Sequence, residues 1–190
     1  CNLDQSNFLI TIPESWYLDS LSRSGTWFNS TFLRSFLQLC YHDEHSTNPG
    51  LEYKLVHCIF PNQPIDSKML TYLLPNDIKY LLCPISNNSH FYFIQFNIQT
   101  KQVLCFDGKK NNLIHVNNTV RYILHKYRLL TNSELRSEFP YGWGIKHGYY
   151  INQKDNDSCG PICCYNIWKK LNKQYHIGAN VTVDHMRIQV

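Results

Sequence analysis

The sequence lacks the features that define several large protein classes. No apolar run approaches the roughly 20 residues that a membrane-spanning helix requires, and no signal peptide is visible. There is no Cys-x-x-Cys, so the commonest zinc-ligand spacing is missing. Internal repeats and low-complexity tracts are absent, and no domain boundary shows. Basic residues are scattered, and a net charge of +4 argues against a nucleic-acid partner. No membrane partner and no metal or other cofactor is expected. His42-Asp43-Glu44-His45 is dense in possible ligands, but Ser-Thr-Asn-Pro-Gly follows and the stretch reads as a solvated loop.

What remains is a chain able to build a core. It has 190 residues, 43% hydrophobic and 14% aromatic, the size of one domain. We expect a single domain over 1–190. It begins at Cys1 rather than at a methionine, so excision from a longer chain is expected. Eight cysteines raise the question of disulfides. Cys58, Cys83 and Cys105 lie inside apolar runs and read as reduced core residues, which favours a reducing, intracellular compartment over secretion.

Elements follow from periodicity. Residues 8–12 read as a strand, and 26–41 as a helix with Phe28, Phe32, Phe36 and Leu39 on one face. Strands are expected at 53–60 and 80–85, and a short helix at 66–74. A turn is expected at 86–89. Residues 90–98 and 103–106 form a hairpin reversing near residue 99. Residues 113–130 are predicted helical, 131–145 irregular, and 149–152 a last strand. The hairpin sets His90 at the opening of one strand and Asp107 at the close of the next, within reach of each other at one sheet edge.

The most informative stretch runs from Gln153 to Leu171. It turns from polar to amphipathic at Cys159. Beyond it Cys163, Cys164, Ile167, Trp168 and Leu171 recur at helical spacing. Ser158 fits a helix N-cap. Cys159 would then lie in the first turn, where free N–H groups and the helix dipole favour a thiolate. Gln153, on the loop before it, offers an amide to an oxyanion. Singly, each residue has an ordinary reading: a buried cysteine, a strand-end histidine, a turn aspartate. Together they compose a nucleophile (Cys159), a base (His90), an orienting carboxylate (Asp107) and an oxyanion donor (Gln153).

The order His, Asp, Gln-x5-Cys-Gly resembles the ubiquitin-like protease family, which includes SUMO proteases, a deneddylase and, more distantly, the adenovirus protease. The resemblance runs from Trp16 to about Leu171. It implies an α+β, papain-like cysteine protease fold, with a central, mostly antiparallel sheet and the catalytic cysteine at the N-terminus of a central helix. It implies cleavage after the C-terminal Gly-Gly of ubiquitin or a related modifier such as SUMO, which would be the partner. It also implies substrate-binding roles for Trp16, Asp19 and Phe91 beside a narrow channel. The chain departs from the family pattern in having Phe91 where Trp usually follows the histidine, and Ser158 where Asp usually precedes the cysteine. Trp16-Tyr17-Leu18-Asp19 also carries one residue more than the family's early Trp motif. Two alternatives stand beside this reading. One is a same-fold acetyltransferase using acetyl-CoA, which would need a concentrated basic segment. The other is a non-enzymatic modifier-binding module, against which the presence of all four site residues counts.

Overall fold

The computed structural model describes Leu33, Phe36, Leu74 and residues 52–56, 76–87, 89–109, 113–130, 142–148 and 153–171. Within these, β1 spans Tyr53–Leu55, β2 Tyr80–Asn87, β3 His90–Asn97 and β4 Gln102–Phe106. Helix α1 follows at Leu113–Lys126, then β5 at Gly144–His147 and α2 at Cys159–Leu171. The expected segments at 8–12, 66–73 and 149–152, the His42–His45 cluster, and Trp16, Asp19 and Cys58 lie outside the described residues. So does most of the expected 26–41 helix, from which Leu33 and Phe36 are described, both helical and buried.

The five strands form one sheet in the order β1-β2-β3-β4-β5. β3 is central because its register is fixed on both sides. It pairs antiparallel with β2 from Asn87↔His90 to Tyr80↔Asn97, and with β4 from Phe93↔Phe106 to Asn97↔Gln102. The β2–β3 reversal is tighter than the sequence suggests. Ser86 and Asn87 stay in β2, opposite Phe91 and His90, and the turn shrinks to two residues. Ser89 adopts φ 64°, the left-handed conformation that two-residue hairpin turns use. The β3–β4 reversal falls over 98–101, as expected, with the Thr100 N–H donating to Asn97 Oδ1 at 3.1 Å.

The sheet is mixed, with antiparallel pairings at its centre and parallel pairings at its edges. β1 runs parallel to β2, and β5 parallel to β4. Both parallel pairs are joined by long connections, 56–79 and 107–143. The second carries α1, and parallel neighbours require such crossovers. β5 also begins inside 131–145, which the sequence left irregular, and runs on to His147. Its four residues, Gly-Ile-Lys-His, form a largely exposed edge with little apolar pattern to reveal it.

Side chains of the inner strands alternate between two cores, because successive strand residues point to opposite faces. Leu82, Phe91, Phe93 and Phe106 face α2, joining Cys159, Cys163, Cys164, Ile167 and Leu171. Leu81, Cys83, Ile85, Tyr92, Ile94, Phe96, Val103 and Cys105 face the other side, with Val116, Val120, Tyr122, Ile123 and Leu124 of α1. Covering on both faces explains why 80–85 reads as a continuous apolar run. Each fully buried side chain of this kind contributes about 1.5–3 kcal/mol of transfer free energy. α1 stops at Lys126, short of the expected residue 130. Arg128 turns to φ 51°, and the Leu129 and Arg128 N–H groups donate back to the carbonyls of Leu124 and His125 at 2.8 and 3.0 Å, a Schellman closure.

Candidate active site

Three chain segments converge at one end of the sheet: the start of β3, the end of β4 and the start of α2. Cys159 is the first residue of α2. Ser158 is the N-cap, since its carbonyl accepts the first helical bond from the Ile162 N–H at 3.0 Å. The Ser158 hydroxyl turns back to donate to Asp155 Oδ2 rather than toward the helix. Cys159 is 5% exposed, and its Sγ lies 4.0 Å from the Ser89 carbonyl in the β2–β3 turn.

His90 opens β3, and Asp107 directly follows β4. Extending the β3–β4 register sets them two residues off direct opposition, and the side chains close that gap. His90 Nε2 and Asp107 Oδ1 are 2.7 Å apart. Asp107 is fully buried, and its Oδ1 also accepts the Lys109 N–H at 2.9 Å. The imidazole stacks against Tyr92, with ring centroids 6.0 Å apart. Its other nitrogen, Nδ1, is buried and has no hydrogen-bond partner within bonding distance among the described residues.

The electrostatics couple these groups. Burial pulls His90 down. The hydrogen bond to Asp107, the interaction with Cys159 and the two attendant charges outweigh it and raise the imidazole to about 9. Burial pushes the Cys159 thiol up. Against that act the His90 side chain, the Phe91 N–H, the His90 charge and the Gly160 N–H, leaving the thiol below its ordinary value. A thiol that gives up its proton readily thus meets an imidazole that keeps its own, and together they favour a thiolate–imidazolium pair.

Gln153 is buried, and its backbone N–H donates to the Gly108 carbonyl at 2.8 Å, tying the loop to the residue after Asp107. Its Nε2 donates to the Asp155 carbonyl at 2.9 Å, while Oε1 is buried without a partner among the described residues. The Phe91 ring is buried in the core beneath α2, in the same cluster as Cys159.

Asp155 escaped the sequence reading. Its Oδ1 accepts the N–H groups of Asp157 and Ser158 at 3.0 and 2.7 Å. Burial opposes its charge, but the donors of Ser158 and Asp157 prevail and hold the carboxyl at about 2. The available signal was an aspartate three residues before an N-cap serine, a spacing at which side chains fold a loop by bonding its backbone. The Phe91 N–H left no signal, since any residue supplies one. Among the described residues no cluster of three His, Cys, Asp or Glu side chains could hold a metal ion.

No family model matches the sequence, and no curated protein matches it. Solved structures do match. A de-sumoylating protease superposes with a TM-score of 0.55 at 16% identity, covering 83% of this chain and 66% of its own. The Ulp1-like SUMO protease catalytic domain of Chaetomium thermophilum gives a TM-score of 0.58 at 14% identity, over 89% of this chain and 73% of its own. The fold is that of the Ulp1-like proteases. The C-terminal Ulp1 protease domain in complex with Smt3, the yeast orthologue of SUMO, shares it with a TM-score of 0.57 at 13% identity, over 90% and 77% of the two chains. This chain spans just under two thirds of the length of the de-sumoylating protease.

Proposed function

We propose that the protein is a cysteine peptidase, papain-like in its catalytic layout, that cleaves after the C-terminal Gly-Gly of ubiquitin or a ubiquitin-like modifier such as SUMO. The observation that carries this reading is the position of His90, hydrogen-bonded to buried Asp107 on one side and electrostatically coupled to Cys159 on the other. The Cys159 thiolate attacks the carbonyl carbon of the terminal glycine. The resulting oxyanion accepts hydrogen bonds from the second Nε2 hydrogen of Gln153 and from the Cys159 backbone N–H. The His90 imidazolium gives its proton to the leaving amine, an isopeptide lysine in most such bonds, and a thioester remains. Neutral His90 then takes a proton from water as the water attacks the thioester. The modifier leaves as a carboxylic acid that gives its remaining proton to solvent, and the thiolate–imidazolium pair is restored. Asp107 keeps the ring oriented and stabilises its charge.

Trp16, Asp19 and Phe91 are proposed to border a channel through which only two glycines pass. Cys83, Cys105 and Cys159 are not disulfide-bonded, in keeping with the reducing compartment proposed for the protein. No described helix is long and apolar enough to cross a membrane.

The test is a panel of ubiquitin and SUMO probes bearing C-terminal electrophiles. The expected result is covalent labelling at Cys159, lost in Cys159→Ala. Binding without labelling would indicate a modifier-binding module. Acyl transfer from acetyl-CoA without probe labelling would indicate an acetyltransferase. Either outcome overturns the proposal.

A further inference from the structure

We propose that Asp155 is a positioning residue for the oxyanion donor: its side chain folds the loop before α2 so that its own backbone carbonyl holds the Gln153 amide in the donating orientation. The inference rests on the reading of Gln153 given above.

The geometry has two halves within one residue. The carboxylate accepts three bonds from the next turn of chain, the N–H groups of Asp157 and Ser158 and the Ser158 hydroxyl. Those bonds curl 155–158 against the first turn of α2. The carbonyl of the same residue accepts Gln153 Nε2 at 2.9 Å, and Oδ1 lies 3.5 Å from that nitrogen. Gln153 is meanwhile pinned by its own N–H to Gly108.

A side-chain amide has two faces of similar shape and opposite hydrogen-bonding character. Turned by half a rotation, Gln153 would aim Oε1 at the Asp155 carbonyl, acceptor against acceptor. It would then present an acceptor where its nitrogen now stands. Among the described residues nothing outside Asp155 selects between the two, because Oε1 has no partner there. With one Nε2 hydrogen committed to Asp155, the second is left for the oxyanion. The selection depends on where the Asp155 carbonyl lies, and the three bonds to the carboxylate determine that. Exposed Asp155 therefore acts on the reaction without touching substrate.

The experiment compares Asp155→Ala, Asp155→Asn, Gln153→Ala and the Asp155→Ala/Gln153→Ala double variant in the full chain. The first readout is hydrogen exchange of the Gln153 side-chain amide by 15N NMR, which needs no substrate. Exchange should be slowed in the wild type and in Asp155→Asn, whose Oδ1 still accepts the two N–H groups, and free in Asp155→Ala. The second readout is kcat and KM on the modifier that the probe panel selects. Asp155→Ala should lower kcat roughly 10-fold with KM within about twofold, and Gln153→Ala roughly 100-fold. The double variant should match Gln153→Ala within about twofold, since a residue acting through Gln153 has nothing left to act on. Asn should restore most of the rate.

A double variant whose losses multiply, or a Gln153 amide still protected in Asp155→Ala, overturns the proposal. If Asp155→Ala does not fold, Ser158→Ala removes one of the three bonds. It should speed amide exchange partway and add nothing to Gln153→Ala, and multiplying losses there overturn the proposal equally. If the wild type cleaves no modifier, the functional reading fails, and amide exchange alone decides whether Asp155 positions Gln153.

Discussion

Cys105 and Cys159 are both buried, and burial pushes both thiols up, yet they end on opposite sides of the ordinary thiol value. Burial takes Cys105 to about 12, with the nearby Asp107 charge adding to the rise. Cys83, on the same face of the sheet, is likewise pushed well up by burial. Cys159 ends below its ordinary value because it has what the others lack: an imidazole and the N–H groups of Phe91 and Gly160. Burial alone therefore does not mark a reactive cysteine. Asp107 separates the two directly. Its charge disfavours a thiolate at Cys105, and its hydrogen bond sustains the His90 cation that favours one at Cys159.

The sharpest way to break this contrast is to remove each thiol. Cys159→Ala should abolish turnover, a loss of roughly 10⁴-fold or more. His90→Ala should be nearly as severe. It should also remove the selectivity of limiting iodoacetamide for Cys159 at mildly acidic pH, as mapped by mass spectrometry. If Cys163 or Cys164 of the same helix were alkylated before Cys159 in the wild type, the contrast would collapse.

Asp107→Asn tests the residue that acts on both cysteines. It keeps the shape of the site but loses the charge, and kcat should fall roughly 100-fold. The His90 titration should move down from about 9, and Cys105 should titrate lower while burial still holds it high. Ring proton and cysteine Cβ shifts would follow both. A His90 titration unchanged in this variant would refute the coupling.

The pH dependence sharpens the contrast without mutation. The thiolate forms as pH rises through the lowered Cys159 value, and the imidazolium is lost as pH rises through about 9. Activity should therefore rise as pH passes through the lowered Cys159 value and fall near pH 9, with both limbs belonging to the pair. An alkaline limb near the ordinary histidine value of about 6.5 would mean that Asp107 does not support the ring.

Much of this site could be read from the chain, and the legible parts share a cause. His90 and Asp107 were placed by the strand period and a reversal near residue 99, both local properties that the observed register bears out. The start of α2 at Cys159 follows from a polar loop meeting an apolar stripe, again local. The two parallel pairings were missed because they arise from crossovers, which leave no mark on the strands they join. β5 was missed because Gly144–His147 is a short edge with little to bury. Asp155 and the Phe91 N–H were missed because their effect is exerted by or on backbone groups that every sequence contains.

Gly148 shows how closely packing controls the site, with an effect below those of the charged groups. Its N–H donates to the Cys105 carbonyl at 2.8 Å, and a Cβ there would run into the Phe106 ring. That ring has little room to yield. It is stacked on Phe93 with centroids 4.3 Å apart, and Lys170 Nζ lies over it at 5.0 Å. Gly148→Ala should cost about 1–3 kcal/mol of stability through overpacking. Phe106 directly precedes Asp107, so displacement of the ring should also loosen the His90 bond, lowering kcat by a few-fold.

The smallest effect belongs to Cys105→Ala, and it bears most directly on the opening contrast. The side chain is fully buried between β4 and α1, so losing the sulfur should cost about 1 kcal/mol, read as a lowered melting temperature. Turnover at saturating substrate should stay within about twofold of wild type, because Cys105 points to the opposite face of the sheet from α2. Cys105 and Asp107 nevertheless stand two residues apart along the chain, so the variant asks whether Asp107 is held by its own bonds or by that packing. The bonds to His90 and the Lys109 N–H argue for the first. A drop in kcat greater than about tenfold, with the melting temperature little changed, would show that the inert cysteine serves the reactive one, and the two regions would have to be treated as a single site.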